Sequence, residues 1–284
     1  MGFQIITADQ RLSEKKGHKI VICGQSGVGK TTLARTLGER TLFVDLEAGD
    51  SAIEGHPIDV IRPVTWADCR DFACFLGGPN PSLSEDQPFS QAHYDYVCQT
   101  YGDPHEMIAK YDTIFVDSIT VAGRICFSWC LQQPESRSER SGKLDTRAAY
   151  GMHGREMLAW LTHLQHIREK NVVFVGILDE TTDDYGRKNY ALQIEGSKTG
   201  RELPGIVDEV ITMAVLSGDN GPYRAFVCGS LNEWGFPAKD RSGRLDMLEE
   251  PHLGKLFNKM SNKKKENKLQ FVDPATQNQG ANDA

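Results

Sequence analysis

Residues 19–34 read KIVICGQSGVGKTTLA. Lys19 to Cys23 is a short run rich in apolar, β-branched residues, which predicts a buried strand. Gly24 to Thr31 fits the pattern G-x-x-x-x-G-K-[ST] in full. Residues 31–40, TTLARTLGER, read as a helix that Gly38 weakens or ends. A strand, this loop and a helix form the context in which the pattern holds phosphate. Glycines let the backbone curl until its N–H groups point at phosphate oxygens. The following helix adds its positive N-terminal end. The expected nucleotide-binding residues are Gly24, Gln25, Ser26, Gly27, Val28, Gly29, Lys30, Thr31 and Thr32. Lys30 would reach the β and γ phosphates, and the Thr31 hydroxyl would hold Mg²⁺.

Two further acidic positions complete the pattern. The run YDTIFVD at 111–117 predicts a buried strand whose tip carries Asp117, in the position that binds the Mg²⁺ shell. Ser118, next along, is placed to add a hydrogen bond near the γ-phosphate. The run TLFVD at 41–45 predicts another buried strand, with Glu47 just after it. If that strand neighbours the phosphate-loop strand, Glu47 faces the γ-phosphate and can polarise an attacking water. Asp45 competes for that role.

Strands and helices alternate as far as residue 179, which argues for a mostly parallel sheet with helices on both faces. WADCRDFACFLGG at 66–78 has helical apolar spacing ended by two glycines, and AHYDYVCQTYG at 92–102 also reads as a helix. Between them, residues 79–92 form a polar, proline-bearing loop. Met157, Leu158, Leu161, Leu164 and Ile167 mark the inward face of an amphipathic helix. NVVFVGIL at 171–178 is a further buried strand. Beyond Asp179 the texture changes to two hairpins, DYGRKNYALQ and EVITMAVLSGDNGPYRAFVCG, a β-rich extension of the sheet. The expected organisation is one domain over 1–258, with 1–16 as a lead-in. A basic, then polar, flexible tail is expected at 259–284.

Composition narrows the partners. The net charge of −7 excludes a global basic surface, so any polyanion site must be local. No apolar run is long enough for a membrane span, and no signal-peptide order is present, so a cytoplasmic protein is expected. Seven scattered cysteines predict reduced, mostly buried thiols rather than a zinc site. Cys126 and Cys130 lie one helical turn apart, which suits a core face.

Taken together, GQSGVGKT, FVDLE and FVDSIT resemble the RecA-like P-loop ATPase core, in which the glutamate at the place of Glu47, the end of the second stretch, is the catalytic base. Over roughly residues 15–258 the chain resembles, more closely, AAA-type phage and prophage ATP-binding proteins with a minimal RecA-like core. That family includes proteins implicated in single-strand annealing and recombination. Further stretches carry the likeness: RAAYGMHGREM, GSKTGRELPGIVDEVITM and WGFPAKDRSGRLD. The resemblance implies ATP and Mg²⁺ as cofactors, hydrolysis at a subunit interface, single-stranded DNA as partner, and a homo-oligomeric ring or filament. It also implies a single-strand-binding protein as a further partner, and the bacterial host cytoplasm as the location.

Lys239 and Arg241 stand two apart, so on a strand they point the same way. In the families resembled, a Lys-x-Arg pair reaches a neighbour's γ-phosphate and stabilises charge developing in phosphoryl transfer. Lys239 and Arg241 are therefore candidate catalytic residues alongside Lys30 and Glu47, and Lys198 is a weaker candidate for that role or for DNA contact. Candidate DNA loops follow Asp117 and Leu178. The first carries Arg137, Arg140, Lys143 and Arg147; the second carries Arg187 and Lys188 near Tyr185 and Tyr190. The tail lysines Lys259, Lys263, Lys264, Lys265 and Lys268 offer either a DNA arm or a soluble tail. One departure stands out: Gly176, Ile177 and Leu178 occupy the place where the family often has a polar γ-phosphate sensor. Two other readings stay open, a P-loop kinase for a small metabolite or nucleoside, and a nucleotide-timed assembly switch.

Overall fold

Strand residues divide their side chains between two cores, and that division organises the molecule. In the computed structural model, which describes residues 5–186 and 188–262, Ile20 and Ile22 enter one core and Val21 the other. Ile114 and Val116 likewise face away from Phe115, and Val172 and Phe174 from Val173 and Val175. This period-2 alternation with both faces buried is what a covered parallel sheet requires.

The strands are β1 (Lys19–Gly24), β2 (Thr41–Asp45), β3 (Asp59–Ile61), β4 (Thr113–Asp117), β5 (Asn171–Thr182), β6 (Lys188–Leu192), β7 (Glu209–Gly218), β8 (Gly221–Val227), β9 (Lys239–Asp240) and β10 (Leu248–Glu249). Their order is β10-β8-β7-β1-β5-β4-β2-β3, with β6 on β5 and β9 on β7. The run from β7 to β3 is parallel throughout. Strands β6, β8 and β9 join antiparallel, as the β-rich extension expected beyond Asp179. Both expected hairpins form: β5–β6, and β7–β8 turning at Gly221 with φ +106°.

The helices are α1 (Ala8–Ser13), α2 (Trp66–Gly77), α3 (Gln91–Tyr101), α4 (Pro104–Ile108), α5 (Ile119–Cys130), α6 (Thr146–Gln165), α7 (Ser197–Ile206) and α8 (Leu253–Ser261). One core lies under α2, α5 and α6, where Trp66, Cys126, Cys130, Met157, Leu161 and Leu164 are buried. Of the expected inward face of α6, only Leu158 stays half-buried. This helix starts well before Met157, because the Asp145 carboxylate accepts from the N–H groups of Arg147 and Ala148. The other core is covered by α8, with Leu253, Leu256 and Met260 buried. Helix α8 runs to Ser261, past the boundary expected at 258, and Lys259 pairs with Asp246 at 2.6 Å and also with Glu249. Lys263, Lys264, Lys265, Lys268 and Arg187 lie outside the described residues.

The helix expected over 31–40 is corrected. A single 3-10 segment, Thr31–Thr36, follows the phosphate loop, and Leu37 is already extended at φ −105°, ψ 161°. Its end is fastened sideways. The Thr36 hydroxyl donates to the Leu33 carbonyl at 2.7 Å and accepts from the Leu253 N–H at 2.9 Å. Three threonines and Gly38 also make a long helix costly here.

Phe174 is 1% exposed and packs edge-on against Trp160 at 5.9 Å. Phe174→Ala is expected to destabilise the protein by about 3–5 kcal/mol, read from urea denaturation.

Candidate nucleotide site

Parallel strands present their C-terminal tips at one edge of the sheet, and the expected phosphate-binding residues gather there. Gly24 ends β1 with no room for a side chain: a Cβ would lie 2.5 Å from the Met213 carbonyl oxygen. Gly27 and Gly29 take φ of +79° and +106°, the left-handed turn that closes the loop. Val28 is buried in the core beneath, whereas Gln25, Ser26, Gly27 and Thr32 are exposed. The Lys30 ammonium donates to the Gly24 and Gln25 carbonyls at 2.9 and 3.0 Å. Burial lowers its pKa, while the nearby charges of Asp117, Glu47 and Cys23 act to raise it.

The register of β2 and β4 pairs Asp45 with Asp117, so the residues following both strands stand at one level. The condition set for Glu47 is not met as stated: β2 does not neighbour β1, and β5 and β4 lie between them. Glu47 arrives by another route, over the end of β4. The Leu46 N–H donates to the Asp117 carbonyl at 2.7 Å, and the Ser118 hydroxyl donates to the Glu47 carboxylate. Ser118 also caps α5 by accepting from the Val121 N–H at 3.3 Å. Asp45 shapes this turn rather than competing with Glu47. Its Oδ1 accepts from the N–H groups of Glu47 and Gly49 at 3.2 and 2.9 Å, and Ala48 sits at φ +55°.

Asp117 is 2% exposed and its Oδ2 has no partner. A Cβ added at Gly49 would lie 3.6 Å from that oxygen and 3.6 Å from the Thr31 methyl, so all three groups converge. Burial raises the Asp117 pKa to about 6, and the charges of Glu47 and Asp45 add to that rise. A hydrogen bond from Thr31 and the charge of Lys30 oppose it. An orphaned buried carboxylate oxygen beside a threonine hydroxyl is a hard-oxygen pair of the kind that suits Mg²⁺, which takes few protein ligands and completes its shell with phosphate and water. No group of three or more His, Cys, Asp or Glu arranged for a metal occurs among the described residues.

Lys239 and Arg241 are not brought to this site. They lie where β9 pairs with the first residues of β7, and β7 runs parallel to β1. The pair is therefore at the opposite end of the sheet from the loop. The Lys239 ammonium donates to the Pro204 and Val207 carbonyls at 2.5 and 2.8 Å, capping the C-terminus of α7. Arg241 pairs with Asp208 at 2.8 Å. Arg137, Arg140 and Lys143 are exposed between α5 and α6 and Arg147 is exposed in the first turn of α6, while Lys188 pairs with Glu180 at 2.6 Å.

Sequence reasoning missed Arg224. Its Nε donates to the Val28 carbonyl at 2.9 Å from β8, tying the outside of the phosphate loop to the hairpin extension. No local pattern marks it; only the register of β7 with β8 carries it there.

The raised pKa of Asp117 fixes the sign of a pH effect. The folded state holds this proton more tightly than the unfolded chain, so the contribution is complete below about pH 4 and is lost as pH rises through about 6. Without Mg²⁺, Asp117→Asn is expected to be more stable than the unaltered protein at pH 8, by about 2 kcal/mol. The gain should vanish toward pH 4, measured by denaturant titration across that range.

A family model described as an AAA domain matches residues 16–242, a span that includes the loop, Glu47, Asp117, Lys239 and Arg241. Comparison with curated proteins gives no match. No helix among the described residues is long and apolar enough to cross a membrane. On the match and the P-loop geometry together, the chain belongs to the AAA domain family and is a nucleotide-binding P-loop ATPase.

Proposed function

We propose that this chain binds ATP with Mg²⁺, hydrolyses it with Glu47 as general base, and works as a homo-oligomer on single-stranded DNA. The observation that carries the hydrolytic reading is the Glu47 carboxylate, held by Ser118 beside the buried Asp117 and close enough for its charge to act on Lys30. Thr31 and Asp117 would hold Mg²⁺, which when bound draws charge from the phosphate oxygens. The loop N–H groups and Lys30 bind and orient the phosphates, and Glu47 accepts a proton from the attacking water. The DNA reading is supported by the exposed cations Arg137, Arg140 and Lys143 on the loop that follows α5 and by Arg147 in the first turn of α6.

Glu47→Gln is expected to lower ATP turnover at least about a hundredfold while ATP affinity persists. Turnover is to be measured with and without single-stranded DNA. Stimulation by the strand supports the reading, and phosphate transferred to a metabolite instead would replace it with a kinase.

Lys239 and Arg241 enter this reading as a neighbour's contribution, since their own loop is at the far end of the sheet. Lys30→Ala and Lys239→Ala proteins, each inactive alone, are expected to regain turnover when mixed, because some interfaces then combine an intact loop with an intact cation. Full activity of folded Lys239→Ala by itself would remove the pair from catalysis and leave it the cap of α7.

A further inference from the structure

The back of the phosphate loop leans on the β7–β8 hairpin. A Cβ added at Gly29 would lie 3.6 Å from the Met213 methyl and 3.9 Å from the Arg224 Nε. Arg224 stands opposite Val215 and two residues before Phe226, so its side chain leaves the sheet on the face whose core also takes Val28. From there its Nε donates to the Val28 carbonyl at 2.9 Å. Arg224 is otherwise exposed and no acid pairs with it among the described residues, so this carbonyl is what fixes its position.

The bond falls on the peptide of the loop that has the most freedom to turn. Gly29 follows that peptide at φ +106°, and a glycine lets the peptide before it rotate at small steric cost. A planar trans peptide carries its C=O and N–H on opposite sides. A Val28 carbonyl held against Arg224 at the back therefore turns the Gly29 N–H to the front. The front is where a loop of this pattern receives phosphate with its backbone N–H groups. A carbonyl that accepts from a cation also polarises its own peptide, which makes the N–H a stronger donor.

We propose that Arg224 is a positioning residue for nucleotide binding, which holds the Val28–Gly29 peptide so that the Gly29 N–H is ready for a phosphate before one arrives. Arg224 touches the loop and not the nucleotide, so it acts only through that peptide. Its contribution is made equally in the bound ground state and in the transition state, which alters affinity and leaves turnover at saturation as it was. The hairpin extension, 196 residues along the chain from Val28, is by this reading part of the nucleotide site. The inference needs nucleotide binding alone and is independent of the DNA reading.

The test uses the full chain and two variants. Arg224→Met keeps the length of the stem and removes the donor. Arg224→Gln places its amide nitrogen as many bonds from the backbone as the arginine Nε, so it keeps the donor and removes the charge. Affinity for ADP and for a non-hydrolysable ATP analogue is read by calorimetry, turnover at saturating ATP by phosphate release, and the loop by the Gly29 amide resonance without nucleotide. The Met variant is expected to bind both nucleotides roughly tenfold more weakly, the loss of one hydrogen bond to a charged group. Its Gly29 amide should shift, while its thermal midpoint and saturated turnover hold. The Gln variant is expected to recover most of the affinity and the amide position. Unchanged affinity in the Met variant would overturn the proposal, whether or not its thermal midpoint falls. A Gln variant as weak as Met would overturn it too, since charge rather than the bond would then matter. Turnover lost at saturation with affinity kept would make Arg224 a transition-state group and overturn its positioning role. An unaltered chain without turnover would sink the hydrolytic reading, while ADP affinity and the Gly29 amide would still decide Arg224.

Discussion

Everything at the nucleotide edge depends on a carboxylate that is taken out of water and left incompletely paired. Asp117 sits at the tip of β4 with one oxygen unpartnered, and burial, helped by the charges of Glu47 and Asp45, pushes its pKa up to about 6. Two groups answer that charge, Lys30 from the loop and Thr31 at the start of the 3-10 segment, and Gly49 in the turn after β2 packs alongside. A divalent cation brought with phosphate would relieve the same cost. The site is thus held in a state that binding improves, which is how a functional site departs from best local packing.

Sheet order explains why the acids meet although their strands do not flank the loop. Glu47 and Asp117 are joined by the β2–β4 pairing, and the matched register of Asp45 with Asp117 places both turns at one height. Ser118 then serves two masters, capping α5 and holding Glu47. The extension beyond β7 contributes at a distance: Arg224 secures the back of the phosphate loop, and α8 is tied to Thr36 at the end of the 3-10 segment. Leu33 and Ala34 of the short segment after the loop share one core with Leu253, Leu256 and Met260 of α8.

The opposite end of the sheet has a different character. Lys19 and Glu209 are both buried there, with pKa values each near 8, lowered for the amine and raised for the acid by the same loss of water. Lys19 is satisfied by two backbone carbonyls and Glu209 by the N–H groups of Arg241 and Ser242. Lys239 and Arg241 belong to this internally bonded end, so their geometry within one chain is that of a brace.

The sequence by itself determined the parallel core and both hairpins, and it singled out Lys30, Thr31, Asp117 and Glu47, which the fold gathers at one edge of the sheet. Each of these rests on a local signal: an apolar run of strand length, a glycine-lysine-threonine loop, or an acid at a strand tip. It misjudged the segment after the loop, because the tie from Thr36 to Leu253 spans most of the chain and propensity cannot see it. It placed Glu47 by assuming an adjacent strand, whereas strand order is a property of packing and left β5 and β4 between. Arg224 and the brace role of Lys239 were decided by tertiary structure alone. Register and burial select which side chains meet, and neither is written in the spacing of residues along the chain.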